Sequence, residues 1–232
     1  MSATNAIAIL GMHRSGTSAL AGSLRQAGVY FGKVYDSSIS HNKKGLHEPL
    51  SVLHMQEDLL VKNGGTWNTP PEIIEWLPLH KAVRDLFIES REPYRLWGFK
   101  DPRTLLTLEG WLEALPELRC VGTFRHPLEV AASIKARNGF PLERGLEIWQ
   151  AYNMPLLAHQ IQHGFPIMEF VHDEAVMNTA LKRIIHWVDP KLSTDTDFID
   201  EGLRNQQVQA IEAVAMPASV LETYERLRER SL

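Results

Sequence analysis

Five apolar residues in a row, Ala6-Ile7-Ala8-Ile9-Leu10, lead directly into Gly11-Met12-His13-Arg14-Ser15-Gly16-Thr17-Ser18. A short apolar run without charge reads as a strand covered on both faces. Beyond it, from Thr17 to Ala27, Leu20 and Leu24 repeat at helical spacing until Gly28 stops the helix. Gly11 and Gly16 let the joining turn wrap tightly, so that consecutive N–H groups and the positive end of the helix converge on one point. Such a point holds an anion. The nucleoside-triphosphate version of this loop places Lys after its second glycine, where it reaches the outer phosphates. Here that residue is Thr17, and the cation stands inside the loop as Arg14. Its planar fork suits bidentate contact with a phosphate or sulfonate. The loop is poorly suited to ATP and well suited to one phosphate carrying one transferable group.

The same alternation continues along the chain. Strands are expected at Arg95–Phe99, Leu118–Phe124 and Pro166–Val171. Helices are expected from Pro49 to the Asn63-Gly64-Gly65 stop, at Ile74–Arg91, Thr104–Leu115, Leu128–Arg137, Glu143–His163 (kinked at Pro155) and Glu174–Val188. A last amphipathic helix, Pro217–Leu232, carries Val220, Leu221, Tyr224 and Leu227 on one side. Strand–helix alternation predicts an α/β fold, a three-layer architecture with a mostly parallel sheet and a P-loop-type nucleotide site. With no repeat and no linker, residues 1–232 read as a single domain. Ligands of such sheets bind beyond the carboxyl ends of the strands.

A second anion site is expected at the end of the third strand. Thr123-Phe124-Arg125-His126-Pro127 places an Arg there, and Pro127 opens the next helix with Ser133 in its second turn and Arg137 one turn on. An Arg and a hydroxyl so placed can pinch a phosphate, although an Arg capping a neighbouring helix gives the same pattern. The two segments together resemble the sulfotransferase family, in the form of its bacterial, Golgi and protein-tyrosine branches. Gly11 to Ser18 is similar to the family's 5′-phosphosulfate loop, and Arg125 with Ser133 to its 3′-phosphate motif. Trp97-Gly98-Phe99-Lys100-Asp101-Pro102-Arg103 is similar to its Lys-Asp-Pro segment, and Pro166 to Glu174 to its later strand and acidic turn. The resemblance implies 3′-phosphoadenosine-5′-phosphosulfate as donor, adenosine 3′,5′-bisphosphate as product, and no required metal. It implies nucleotide contacts from Gly11, His13, Arg14, Ser15, Gly16, Thr17, Ser18, Arg125 and Ser133.

Sulfuryl transfer, like phosphoryl transfer, is governed by positioning and charge stabilisation. Arg14 is the first cation candidate. Lys100 is the second by resemblance, as acid or stabiliser of the leaving phosphate, or else a partner of Asp101 in a structural salt bridge. Arg103 reads either as a neighbour of the nucleotide or as a surface helix cap. The resemblance also puts a Glu or His base beyond the first helix. Glu48 is the favoured candidate, with His47, His41 and Asp36 behind it, unless Glu48 only caps its helix. Lys43-Lys44 reads as a solvated turn. The loops with Tyr30, Phe31, Tyr35 and Trp67 are expected to shape the acceptor site for a sugar, phenol, lipid or other small-molecule or glycan acceptor. Trp76, Trp111, Trp149 and Trp187 read as core.

Composition narrows the classes. A net charge of −4 from 24 Lys+Arg and 28 Asp+Glu argues against a nucleic-acid partner. One cysteine, Cys120, leaves no disulfide and no Cys-based zinc site, and the ten histidines show no zinc spacing. No apolar run is long enough for a membrane span and no basic n-region precedes Ile7, so a cytoplasmic protein is expected. Oligomeric state is not legible. A kinase with an altered loop, or a nucleotide-binding module without chemistry, are the rival readings.

Overall fold

A computed structural model describes residues 5–35, 45–196 and 215–232. Asp36, His41, Lys43 and Lys44 lie outside the described residues. Four parallel strands form one sheet in the order β2-β1-β3-β4. They are β1 (Asn5–Leu10), β2 (Leu96–Lys100), β3 (Arg119–Phe124) and β4 (Ile167–Glu169). The period-2 geometry of a strand sorts β1 between two cores. Ile7 and Ile9 join Leu20, Leu24, Ile184 and Ile185 on one face, whereas Ala6, Ala8 and Leu10 join Phe99, Trp111, Ile134 and Trp149 on the other. The first face is covered by α1 (Thr17–Ala27) and α7 (Glu174–Val188). The second is covered by α2 (Leu50–Lys62), α3 (Pro78–Glu89), α4 (Thr104–Ala114), α5 (Pro127–Asn138), α6 (Leu142–His163) and α8 (Ala218–Glu229). This is the three-layer α/β arrangement read from the alternation.

The layering positions the site. Helix α1 leaves β1 toward one face and α5 leaves β3 toward the other, although β1 and β3 are hydrogen-bonded neighbours. Their carboxyl ends therefore open a crevice at the switch in topology. No helix among the described residues is long and apolar enough to cross a membrane.

Several expectations need correcting. Helix α3 begins at Pro78, not Ile74. A proline excludes the α conformation from the residue before it, and Leu77 accordingly has ψ 157°. Helix α6 spans Leu142–His163 with Pro155 inside it, in agreement with the expected Glu143–His163 helix. On α8 the buried face is Val220, Thr223, Tyr224 and Leu227, while Leu221 is exposed. That helix packs on the chain's own α6, where Gln150 donates to Thr223 at 3.0 Å. Trp111 and Trp149 are core residues, but Trp187 is partly exposed beneath the Arg119 guanidinium at 4.1 Å. Trp76 precedes α3 and meets Trp111 edge-on at 6.0 Å. Tyr30 and Phe31 lie away from the crevice. Tyr30 extends the sheet beside Trp97 and stacks on Tyr94, and Phe31 is buried against Gly98. Burial pushes the Cys120 thiol up to about 12, as fits an inert core residue.

Candidate functional site

The loop between β1 and α1 takes its shape from three left-handed residues or near-extended glycine turns. Gly11 has φ 154°, Arg14 φ 69° and Gly16 φ 85°. A Cβ at Gly16 would sit 2.2 Å from the Phe170 ring, and one at Gly11 would sit 2.4 Å from the Thr123 carbonyl oxygen. Both positions therefore admit only glycine, for reasons of contact as well as of φ. Arg14 has no such exemption; a non-glycine residue in this region carries strain of about 1 kcal/mol or more, a pattern concentrated at ligand sites. The loop is pinned at Ser15, whose carbonyl accepts from the Thr123 hydroxyl at 2.8 Å. No side chain caps the first turn of α1 at Gly16.

Arg14 reaches across the crevice. Its Nε donates to Ser133 Oγ at 2.8 Å, joining positions 119 residues apart. Burial, and then the charges of Arg137 and Arg125, pull its pKa down to about 10, which leaves it cationic at neutral pH. Arg125 follows the end of β3 and donates from Nε to Glu129 Oε2 at 2.6 Å. Its guanidinium lies 5.6 Å from the Phe170 ring, the same ring that closes on Gly16. Phe170 thus ties the loop to the third strand's arginine. Neither Glu129 nor Phe170 was anticipated; the Arg125–Glu129 spacing of four residues is the one signal that could have revealed the pair.

On the other side of β1, Lys100 ends β2 fully inside the protein. Its Nζ donates to Glu48 Oε1 at 2.7 Å and to Ser18 Oγ at 3.3 Å. Lys100 is 1% exposed and Glu48 4%. The backbone of Tyr35 holds the Glu48 segment: its N–H donates to the Glu48 carbonyl at 2.8 Å and its carbonyl accepts from Leu46 and His47. Ser18 completes the clamp by donating to the Leu46 carbonyl at 3.1 Å. Tyr35 therefore acts on the site through its main chain.

Asp101 is not the partner of Lys100. It binds Arg103 through both carboxylate oxygens, at 3.2 and 3.0 Å, and Arg103 also reaches Glu57 at 2.6 Å. Arg103 is buried at the start of α4 and is neither a surface residue nor a simple cap. Burial raises Asp101 to about 6 against the opposing pull of Arg103. His13 lies between aromatic rings, 5.0 Å from Trp67 and 5.9 Å from Tyr152. Burial, helped by Arg103, Arg137, Lys100 and Arg14, holds its pKa well below 6.5, so the ring is neutral. Among the described residues no group of three His, Cys, Asp or Glu side chains gathers as a metal site would.

The sequence-predicted residues from four separate segments therefore converge at one edge of the sheet, arranged around Arg14 and Lys100. Among solved structures, the sulfotransferase domain of a Synechococcus olefin synthase superimposes with a TM-score of 0.50 at 15% identity, over 98% of this chain and 96% of its own. The fold is sulfotransferase-like. The sulfotransferase STF1 of Mycobacterium tuberculosis also aligns, at 14% identity and a TM-score of 0.41, over 97% of this chain and 77% of its own. No family model matches the chain, and no curated protein matches it by sequence.

Proposed function

We propose that the chain is a sulfotransferase, a single domain that moves a sulfuryl group from 3′-phosphoadenosine-5′-phosphosulfate to a hydroxyl or amine acceptor. The observation that carries this reading is the 2.8 Å bond between Arg14 and Ser133. It supports the reading because it joins the loop proposed to cradle the 5′-phosphosulfate to the helix whose Ser133 is proposed, with Arg125, to hold the 3′-phosphate of the same adenosine. The local chemistry fits such a ligand: Ser15 Oγ is buried without a hydrogen-bond partner, and α1 opens on the crevice without a side-chain cap. A triphosphate would instead want the loop lysine, and Thr17 stands in its place.

When bound, the donor supplies the sulfuryl group on a phosphate that can leave. The chain's own residues do the remainder. Glu48 accepts the acceptor's proton on its carboxylate, held in place by Lys100. Lys100 and Arg14 face the negative charge that builds on the departing phosphate, in a site dry enough for that charge to feel them strongly. Ser18 links the lysine to the loop, so that donor binding and base placement share one hydrogen-bonded frame.

The test is calorimetry with adenosine 3′,5′-bisphosphate and AMP. The bisphosphate should bind at least about tenfold tighter, because charge-assisted bonds to a phosphate contribute roughly 1.5–3 kcal/mol. Arg125→Ala and Ser133→Ala should erase that preference and leave AMP binding nearly as it was. Equal losses for both nucleotides, or a preference for ATP with Mg²⁺, would refute the proposal.

A further inference from the structure

Beside the nucleotide clamps, several side chains gather on Trp67, which lies on the segment between α2 and α3. The segment is fastened to α6 by three hydrogen bonds: Tyr152 Oη donates to the Trp67 carbonyl at 2.8 Å, and Arg144 donates to the Asn68 carbonyl at 2.6 Å and to Thr69 Oγ1 at 2.8 Å. The indole ring packs 6.4 Å from Phe140 and meets the His13 ring edge-on. The Arg137 guanidinium lies 4.9 Å from its centroid. His13 Nε2 is buried there with no hydrogen-bond partner. An unsatisfied polar atom inside a protein is costly unless a ligand completes it.

The cations near His13 are unequally matched. Lys100 is matched by Glu48, and Arg103 by Asp101 and Glu57. Arg137 is different. Its Nε donates to the neutral amide oxygen of Asn138 at 2.7 Å, and no carboxylate of the described residues pairs with it. Partial burial and the nearby charge of Arg103 pull its pKa down, so the free protein holds this cation at a disadvantage that an incoming anion would relieve. The Arg125–Ser133 pair already meets the 3′-phosphate under the proposed function, which leaves Arg137 for the other substrate.

We infer that the acceptor is an acidic, ring-bearing hydroxyl compound, its ring against Trp67 and its anionic group on Arg137. This inference rests on the proposed function. An arginine on an aromatic face keeps its fork directed at a planar anion, so a carboxylate or sulfate gains both charge and geometry. A neutral acceptor of the same shape would leave Arg137 unmatched. The acceptor's reacting hydroxyl then lies toward Glu48, whose charge Arg137 feels.

The experiment titrates the protein, saturated with adenosine 3′,5′-bisphosphate, with 4-hydroxyphenylacetate and with 4-hydroxyphenylacetamide, which differ in charge and hardly in shape. Calorimetry should show the acid binding about tenfold or more tighter than the amide. Arg137→Gln should abolish that difference while changing the nucleotide's affinity less than about twofold, and Arg137→Lys should retain part of it because the charge remains. Equal binding of acid and amide, binding of neither, or a loss of nucleotide affinity as the main effect of Arg137→Gln would overturn the inference. If the nucleotide itself does not bind, the proposed function falls. If it binds and the complex is indifferent to the acid, only this inference falls.

Discussion

On the β2 side of the crevice, Lys100 and Arg103 each meet buried or half-buried carboxylates at 2.6–3.0 Å. On the β1–β3 side, Arg14 donates to a serine hydroxyl and Arg137 lies on an indole beside an amide oxygen. The first side is an internally neutral frame, in which each ion depends on its partner to stay desolvated. The second includes Arg137, a cation that meets no carboxylate among the described residues. Arg125 stands between the two styles: Glu129 holds it, but that carboxylate is 20% exposed and also within 3.3 Å of His172. The contrast implies that damage to the β2 side should appear in stability and proton transfer, and damage to the other side in binding.

The largest effect should come from Glu48→Gln. A missing general base costs about 10²–10⁴ in rate. Single-turnover transfer to 4-hydroxyphenylacetate should fall by that range while the affinity for adenosine 3′,5′-bisphosphate stays unchanged. Full transfer by this variant would remove Glu48 from the role and reduce the β2 side to a structural frame.

Next in size is Lys100→Ala, which leaves the Glu48 carboxylate buried without its ion partner. Breaking such a pair costs about 3–5 kcal/mol. Urea unfolding should show that loss, and the double variant Lys100→Met with Glu48→Gln should recover most of it. If the single and double variants are equally unstable, the pair is not a coupled unit and the contrast between the two sides weakens.

The smallest effect concerns Asp101. Its folded-state pKa of about 6 lies above the ordinary 3.8. Between those values the folded chain holds a proton that the unfolded chain has released, so its contribution to stability is fullest below about pH 4 and is lost as pH rises through 6. Asp101→Asn should remove this slope, worth on the order of 1 kcal/mol per pH unit. Unfolding of both proteins from pH 4 to 7 measures it; a wild-type-minus-variant difference that is flat, or that grows with pH, would show that Arg103 outweighs burial at this carboxylate.

Much of this arrangement was legible before any coordinates. The strand at Ala6–Leu10 and the glycine-bounded turn after it are local features, fixed by residues adjacent in the chain, and the helix stop at Gly28 follows from glycine's freedom at positive φ. Pro127 marked the first turn of α5 for a similar reason. The misreadings came where distant contacts outvoted local pattern. Tyr30 and Phe31 looked available to a ligand because they sit in a long loop, yet the sheet edge and core claimed them. Asp101 follows Lys100 in sequence, and neighbouring opposite charges suggested a pair. Successive side chains on and just after a strand point apart, however, and each found its partner elsewhere.

The order of residues by itself determined that this chain would build a parallel α/β sheet with a tight, glycine-bounded turn after its first strand, because backbone conformation, helix caps and apolar period are short-range properties. Only the folded molecule decided which charges would neutralise each other. Pairing depends on distances between segments tens of residues apart, and those distances are set by how the sheet order and the two helical layers bring Glu48 to Lys100, Arg14 to Ser133, and Arg137 to Trp67.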